Sequence, residues 1–371
     1  MQGAWVAICL PRPFYICVPG HLLFTFEWRT FCYIALAPDF AALGVYVRDC
    51  RARGQNGLDD ENRVEQRMDT DFAVKVGYYR LSEALQPFFT ALYLFDFTVG
   101  EVGPLEDYLH PEWAAMRFSS AAPLVASMDG GPMQPTWPFV VSGPTSRAIH
   151  FRVTESSCIW GLGLQPAGWA KFVDAPASSF ADRVVDGRTQ PAFALFAPLL
   201  PIASDRSIPQ ESVAAMIDQY LLQHLDRPAP RMNQVLAVHA ALRDPQIANV
   251  TEIEERVGIS RRTLERICAR YFGFPPKLEL RRQRFLRSLA RFMLAPGQRW
   301  SEALDERYYD QAQFVRDFRS FMGMTPSDYA EMPHPVLNRI MAQRMADQGA
   351  APNTDLPTVL RYAGGKRPAA E

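Results

Sequence analysis

The chain has 371 residues, enough for two or three domains, and its 48% hydrophobic and 21% charged residues are an ordinary globular mixture able to bury a core. A net charge of −1 excludes a chain that holds polyanions by bulk charge, so such a partner must be met by a local basic face. Six cysteines (Cys9, Cys17, Cys32, Cys50, Cys158, Cys268) lack C-x-x-C pairing and a histidine at ligand spacing, which argues against a zinc centre or a secreted disulfide framework and points to a reducing, cytoplasmic compartment.

The first 47 residues are apolar and aromatic but broken by Pro11, Pro13, Pro19 and Pro38, and they hold neither strand nor helix period for long. They lack the basic start of a signal peptide, and residues 48–67 read as a linker. The favoured reading is that residues 1–67 are not native and that Met68 is the true start; the alternative is a membrane-surface or partner-binding extension. No apolar run reaches about 18 residues, so no membrane span is expected.

Residues 68–225 are expected to form a β-rich domain, barrel-like or sandwich-like. Leu92–Val99, Phe139–Ser142, Ala148–Val153 and Cys158–Leu164 are aromatic or β-branched runs bounded by Gly, Pro and Ser. Gly130-Gly131-Pro132 and Ser142-Gly143-Pro144 are turns. Short helices are expected at Pro166–Val173 and Pro191–Leu200. A longer one, Pro209–Leu225, places Val213, Met216, Ile217, Tyr220, Leu221 and His224 on one face. Trp113, Trp137, Trp160 and Trp169, with Tyr78, Tyr79, Phe95 and Phe97, are candidates for an apolar ligand cavity, although aromatics in such numbers are mostly core. His110 and His150 lack metal spacing and read as structural or exposed. No G-x-S-x-G, P-loop or dinucleotide glycine fingerprint is present, so neither an enzyme nor a cofactor is expected.

After the Asp226–Pro230 linker, residues 231–332 read as all-helical. Asn249 to Thr251 can cap a helix ending at Val257, and Gly258 supplies the left-handed residue for a sharp turn. Ser260 caps the next helix, which turns Leu264, Ile267 and Tyr271 inward and Arg261, Arg262, Glu265 and Arg266 outward. A helix that enters a DNA groove needs this division: an apolar back to fix its angle and long donors near its N-terminus. Lys277–Met293 is a long amphipathic helix whose Arg281, Arg284 and Arg287, with Ser260, are the expected phosphate contacts. A second unit follows, Ser301–Glu306, a turn and Asp310–Met322, with Phe314, Phe318 and Phe321 inward and Gln311, Gln313 and Arg316 outward. Arg suits guanine, Glu cytosine and Gln adenine. From Arg256 to Arg291 eleven Lys/Arg face only Glu265 and Glu279, a local excess of +9.

The two units echo each other at an offset of 50, through Arg266 and Arg316, Gly273 and Gly323, and Pro276 and Pro326. Ser260-Arg-Arg-Thr-Leu-Glu-Arg266, Phe274-Pro-Pro-Lys277, Tyr308-Tyr-Asp-Gln311 and Gly323-Met-Thr-Pro-Ser-Asp-Tyr329 resemble the C-terminal domain of the AraC/XylS family of bacterial transcription regulators. The resemblance implies a fold of class α+β, in which a β-rich sensor domain precedes two helix-turn-helix units joined by one long helix. It implies base contacts at Arg262, Glu265 and Arg266 and at Gln311, Gln313 and Arg316; the residue pattern adds Arg261. Double-stranded DNA is then the first partner, and RNA polymerase, a small-molecule effector and a second copy of the chain are the others such a regulator would meet. The alternative is a ligand- or partner-binding protein with a degenerate DNA-binding domain.

This sequence departs from the family twice. Glu254 stands where a small residue is usual, and Arg307 stands where Gly is usual, at an expected cost of about 1 kcal/mol for a positive φ. The second unit is also not basic, so the first is expected to carry most of the affinity. Residues 333–371, rich in Pro, Ala and Gly, read as a mostly disordered tail.

Overall fold

A strand with both faces covered loses the alternation of apolar and polar residues, and the N-terminal half has that texture. The computed structural model describes residues 5–7, 33–35, 72–100, 104–120, 124–128, 130–294 and 299–340. The reading of residues 1–67 as an extension lies outside the described residues, except that β1 (Trp5–Ala7) and β2 (Tyr33–Ala35) pair antiparallel.

From β3 (Phe72–Tyr79) the chain runs through β4 (Phe89–Val99), β5 (Leu105–Leu109), β6 (Ala115–Ser119), β7 (Leu124–Met128), β8 (Gln134–Pro135), β9 (Phe139–Ser142), β10 (Ile149–Val153), β11 (Ser157–Leu164) and β12 (Val184–Asp186). They form a six-stranded sheet, β12-β9-β6-β11-β4-β3, and a four-stranded sheet, β5-β10-β7-β8. Leu92, Leu94, Trp160 and Leu162 pack with α1 (Pro166–Phe172), α2 (Leu199–Ser204) and α3 (Gln210–Leu222). Their strand neighbours Tyr93, Phe95, Phe97 and Ile159 point the other way, and meet Leu105, Phe151 and Val153 of the second sheet. On that face Gly161 gives room to Tyr93, whose Cζ lies 2.0 Å from where a glycine Cβ would stand. The expected helix at Pro209–Leu225 ends earlier, and Met216 faces solvent at 40% exposure.

The helical half comprises α4 (Met232–Arg243), α5 (Val250–Val257), α6 (Arg261–Ile267), α7 (Pro276–Leu294), α8 (Trp300–Ala303), α9 (Gln311–Met322) and α10 (Pro326–Glu331). The tail expected from residue 333 begins with an ordered turn. Residues 335–340 are helical, and Val336, Leu337 and Ile340 are buried among the residues between the two sheets. Each such burial contributes about 1.5–3 kcal/mol, enough to hold a short segment down. Residues 341–371 lie outside the described residues.

Arg282 of α7 joins the helical half to the β-rich half. It is 1% exposed, lies 4.2 Å over the Trp113 ring, and donates to the carbonyls of Glu112 at 3.2 Å and Thr145 at 2.9 Å. Glu279, one turn earlier and equally buried, approaches it to 2.7 Å. Burial pushes the Glu279 carboxyl up to about 7, with Arg282 drawing it back down. Nearby, the Ala148 amide donates to the Phe321 carbonyl at 2.7 Å, and Pro144 packs where a Cβ on Gly273 would stand.

Removing one partner of a buried pair leaves an uncompensated charge, so Arg282→Ala should lose about 3–5 kcal/mol in urea unfolding. Replacing both Arg282 and Glu279 by Met should lose less than that. Because Glu279 is raised on folding, its contribution is complete below the unfolded value and is lost as pH rises through about 7. Unfolding midpoints should therefore fall from pH 5 to 8 by more in the wild type than in Glu279→Gln.

Candidate nucleic-acid interface and adjoining cavity

The first unit is built by local rules. Asn249 caps α5 by accepting from the Glu252 amide at 3.1 Å, and Gly258 ends it with φ 70°. Ser260 caps α6 by accepting from the Thr263 amide. Leu264 and Ile267 are buried as expected, but the inward position expected of Tyr271 is taken by Phe272. The cause is a π turn, Cys268–Phe272, in which the Gly273 amide reaches the Cys268 carbonyl at 2.9 Å. The wider turn keeps Leu264, Cys268 and Phe272 in one line.

Arg262, Glu265 and Arg266 are exposed on the opposite face and make no ion pair with a described residue. Arg261 is exposed too, but its guanidinium pairs with Glu254 on α5. The carboxylate that stands where a small residue is usual is therefore the partner of the first arginine. The Ser260 hydroxyl serves as a cap.

The second unit repeats the plan. Asp310 caps α9 by accepting from the Gln313 amide at 2.6 Å, and Gly323 closes it with φ 74°. Gln311 and Arg316 are exposed. Gln313 is half-buried, and its side-chain oxygen accepts from the Tyr309 amide at 3.0 Å. Tyr309, which sequence reasoning passed over, is 93% exposed at the start of this helix. The tandem Tyr308-Tyr309 ahead of a capping Asp was the available signal, since its two rings must point in different directions.

The expected phosphate contacts on α7 need correction. Asp317 occupies the position equivalent to Ile267 and is buried, and two of the arginines are its partners. Arg281 donates to it at 2.7 Å and Arg284 at 3.0 Å, with Tyr308 beneath the Arg284 guanidinium at 4.3 Å. Arg287 is buried against Asp305, and Arg291 donates to the Leu304 carbonyl at 3.0 Å. Arg281 keeps a 37% exposed side chain; Arg284 and Arg287 are turned inward. Much of the +9 excess is internal glue.

Arg307 also corrects an expectation. Among the described residues the non-glycine positions with positive φ are Asp182 and Arg231, so Arg307 carries no such strain. It donates to the Pro245 and Gln246 carbonyls at 3.3 and 3.0 Å, which ties the second turn to the loop before α5.

A cavity of about 190 Å³ adjoins this domain. Tyr78, Tyr93 and Phe95 line it from the sheets, Leu286, Leu289 and Met293 from α7, and Leu337 and Ile340 from the tail. Of the other aromatic candidates Trp113 also lines it, whereas Trp160 and Trp169 sit in the core on the other face of the sheet. Its polar edge holds Arg117, fixed by Glu112 at 2.8 Å and Ser142 at 3.1 Å. Burial pushes the Tyr93 phenol up to about 12, so it is a neutral hydroxyl there. His110 also lies on this edge and bonds the Tyr329 hydroxyl of α10 at 2.8 Å.

The family model for a helix-turn-helix domain matches residues 253–332. No curated protein matches the chain in sequence. Among solved structures, an apo form of ToxT from Vibrio cholerae is similar at 9% identity with a TM-score of 0.36, over 71% of this chain and 98% of that one. The ToxT structure bound to an unsaturated fatty acid gives 9% identity and 0.36 over 72% and 97%. The AraC-like transcriptional activator CuxR gives 13% identity and 0.27 over 64% and 85%. Residues 253–332 of the helical half are thus matched by a helix-turn-helix domain family.

Proposed function

We propose that this chain is a sequence-specific DNA-binding transcription regulator whose β-rich half modulates it through a small, mainly apolar ligand. The carrying observation is a division among the long polar side chains. Arg284, Arg287 and Arg291 are used inside the protein, while Arg262, Glu265 and Arg266 on α6 and Gln311 and Arg316 on α9 stand exposed. Those five are the proposed base readers, with Arg261 and Gln313 in supporting positions. Arg281, Lys277 and the Tyr309 hydroxyl are the proposed backbone contacts, and the cavity beside α7 is the proposed ligand site. A second reading, a ligand-binding protein with a degenerate DNA-binding domain, draws on the internal use of the α7 arginines.

Selection from random duplexes followed by titration at two salt concentrations separates the readings; no binding to any duplex at low salt sinks the first. Arg266→Ala should cost about 1–3 kcal/mol of affinity and relax one base position. Arg316→Ala should cost less, and the reverse order would refute the ranking of the two units. Arg284→Ala should lower thermal stability while leaving the salt slope unchanged, because its partner is Asp317. Tyr309→Phe should weaken binding to all duplexes alike and leave stability intact.

A further inference from the structure

Asp107 on β5 is 2% exposed and far from the reading helices in sequence. Its carboxylate accepts from the amides of Val336 at 2.9 Å and Leu337 at 2.8 Å, and His334 Nδ1 lies 3.2 Å away. Its remaining donor is its neighbour, the Tyr108 amide, at 2.8 Å. A buried carboxyl group without partners is costly, and residues 334–337 supply partners for this one. His334 Nε2 lies 2.8 Å from the Tyr329 carbonyl of α10. Both of its partners offer acceptor oxygens, which favours the protonated ring. Burial lowers its pKa, but the bonds to Asp107 and Tyr329 outweigh this and the net shift is upward.

The same segment closes the cavity. Leu337 and Ile340 form one wall; the others belong to sheet strands, to the β5–β6 connection at residues 110–114 and to α7. The strand walls are held by backbone ladders, and the 110–114 wall by the bonds of Glu112 to Thr145, Arg117 and Arg282, so the short segment is the part we take to yield. A ligand that fills the apolar end of this cavity meets these two side chains.

We propose that residues 334–340 are a displaceable plug, latched to Asp107, that competes with an apolar ligand for the cavity and clamps the second helix-turn-helix unit to the β sandwich until it is expelled. The consequence for DNA rests on the function proposed above; the competition does not.

The test uses the full chain with anilinonaphthalene sulfonate as the probe and two variants, Asp107→Asn, which weakens the latch, and Leu337→Ser with Ile340→Ser, which removes the wall. Circular dichroism and thermal unfolding establish that each variant is folded. In the wild type the Val336 and Leu337 amides should be protected from hydrogen exchange, and saturating probe should remove that protection. The folded variants should bind the probe at least about tenfold more tightly. Unchanged probe affinity in both variants, or protection that persists with the cavity filled, would overturn the plug. If Asp107→Asn does not fold, the double variant decides alone. Competition without any duplex binding would leave the plug standing and remove the DNA-reading function instead.

Discussion

The placing of α7 depends on how it uses its arginines. A helix that joins two structural units must hold a fixed angle to both; here Arg282 sets it toward the β-rich half through backbone carbonyls, and ion pairs set it toward the second helix-turn-helix unit. Arg282 reaches back to the carbonyls of Glu112 and Thr145, Arg281 and Arg284 reach forward to Asp317, and Arg287 takes Asp305. Each pair is desolvated or partly so, which makes it costly to break and directional.

This use of charge also decides what remains for a partner. A basic stretch offers a polyanion only the cations that its own fold does not need. The proposed interface therefore reduces to a few exposed side chains per recognition helix. That favours discrimination over bulk electrostatic attraction, in keeping with a net charge of −1.

The sequence made the helical repeat readable because its markers act locally. Gly273 and Gly323 end helices with positive φ, Pro276 and Pro326 begin the next ones, and Ser260 and Asp310 cap the recognition helices. Partners of charges were not readable: Arg282 and Thr145 are 137 residues apart, and counting arginines does not say which carboxylate or carbonyl awaits each. The strands β9, β10 and β11 stood out, whereas β5 and β6 were hidden by Asp107 and Arg117, polar residues at buried positions that only their distant partners explain. The π turn hid Phe272 for a related reason, since one wider turn breaks the period on which facial assignments rest.

The contact of Arg307 with the loop at Pro245 and Gln246 makes the two helix-turn-helix units a single caliper. Two reading heads on a flexible joint would accept half-sites at several separations. On the function proposed above, heads clasped at both the linker helix and the turn would accept one, so spacing would be selected together with sequence.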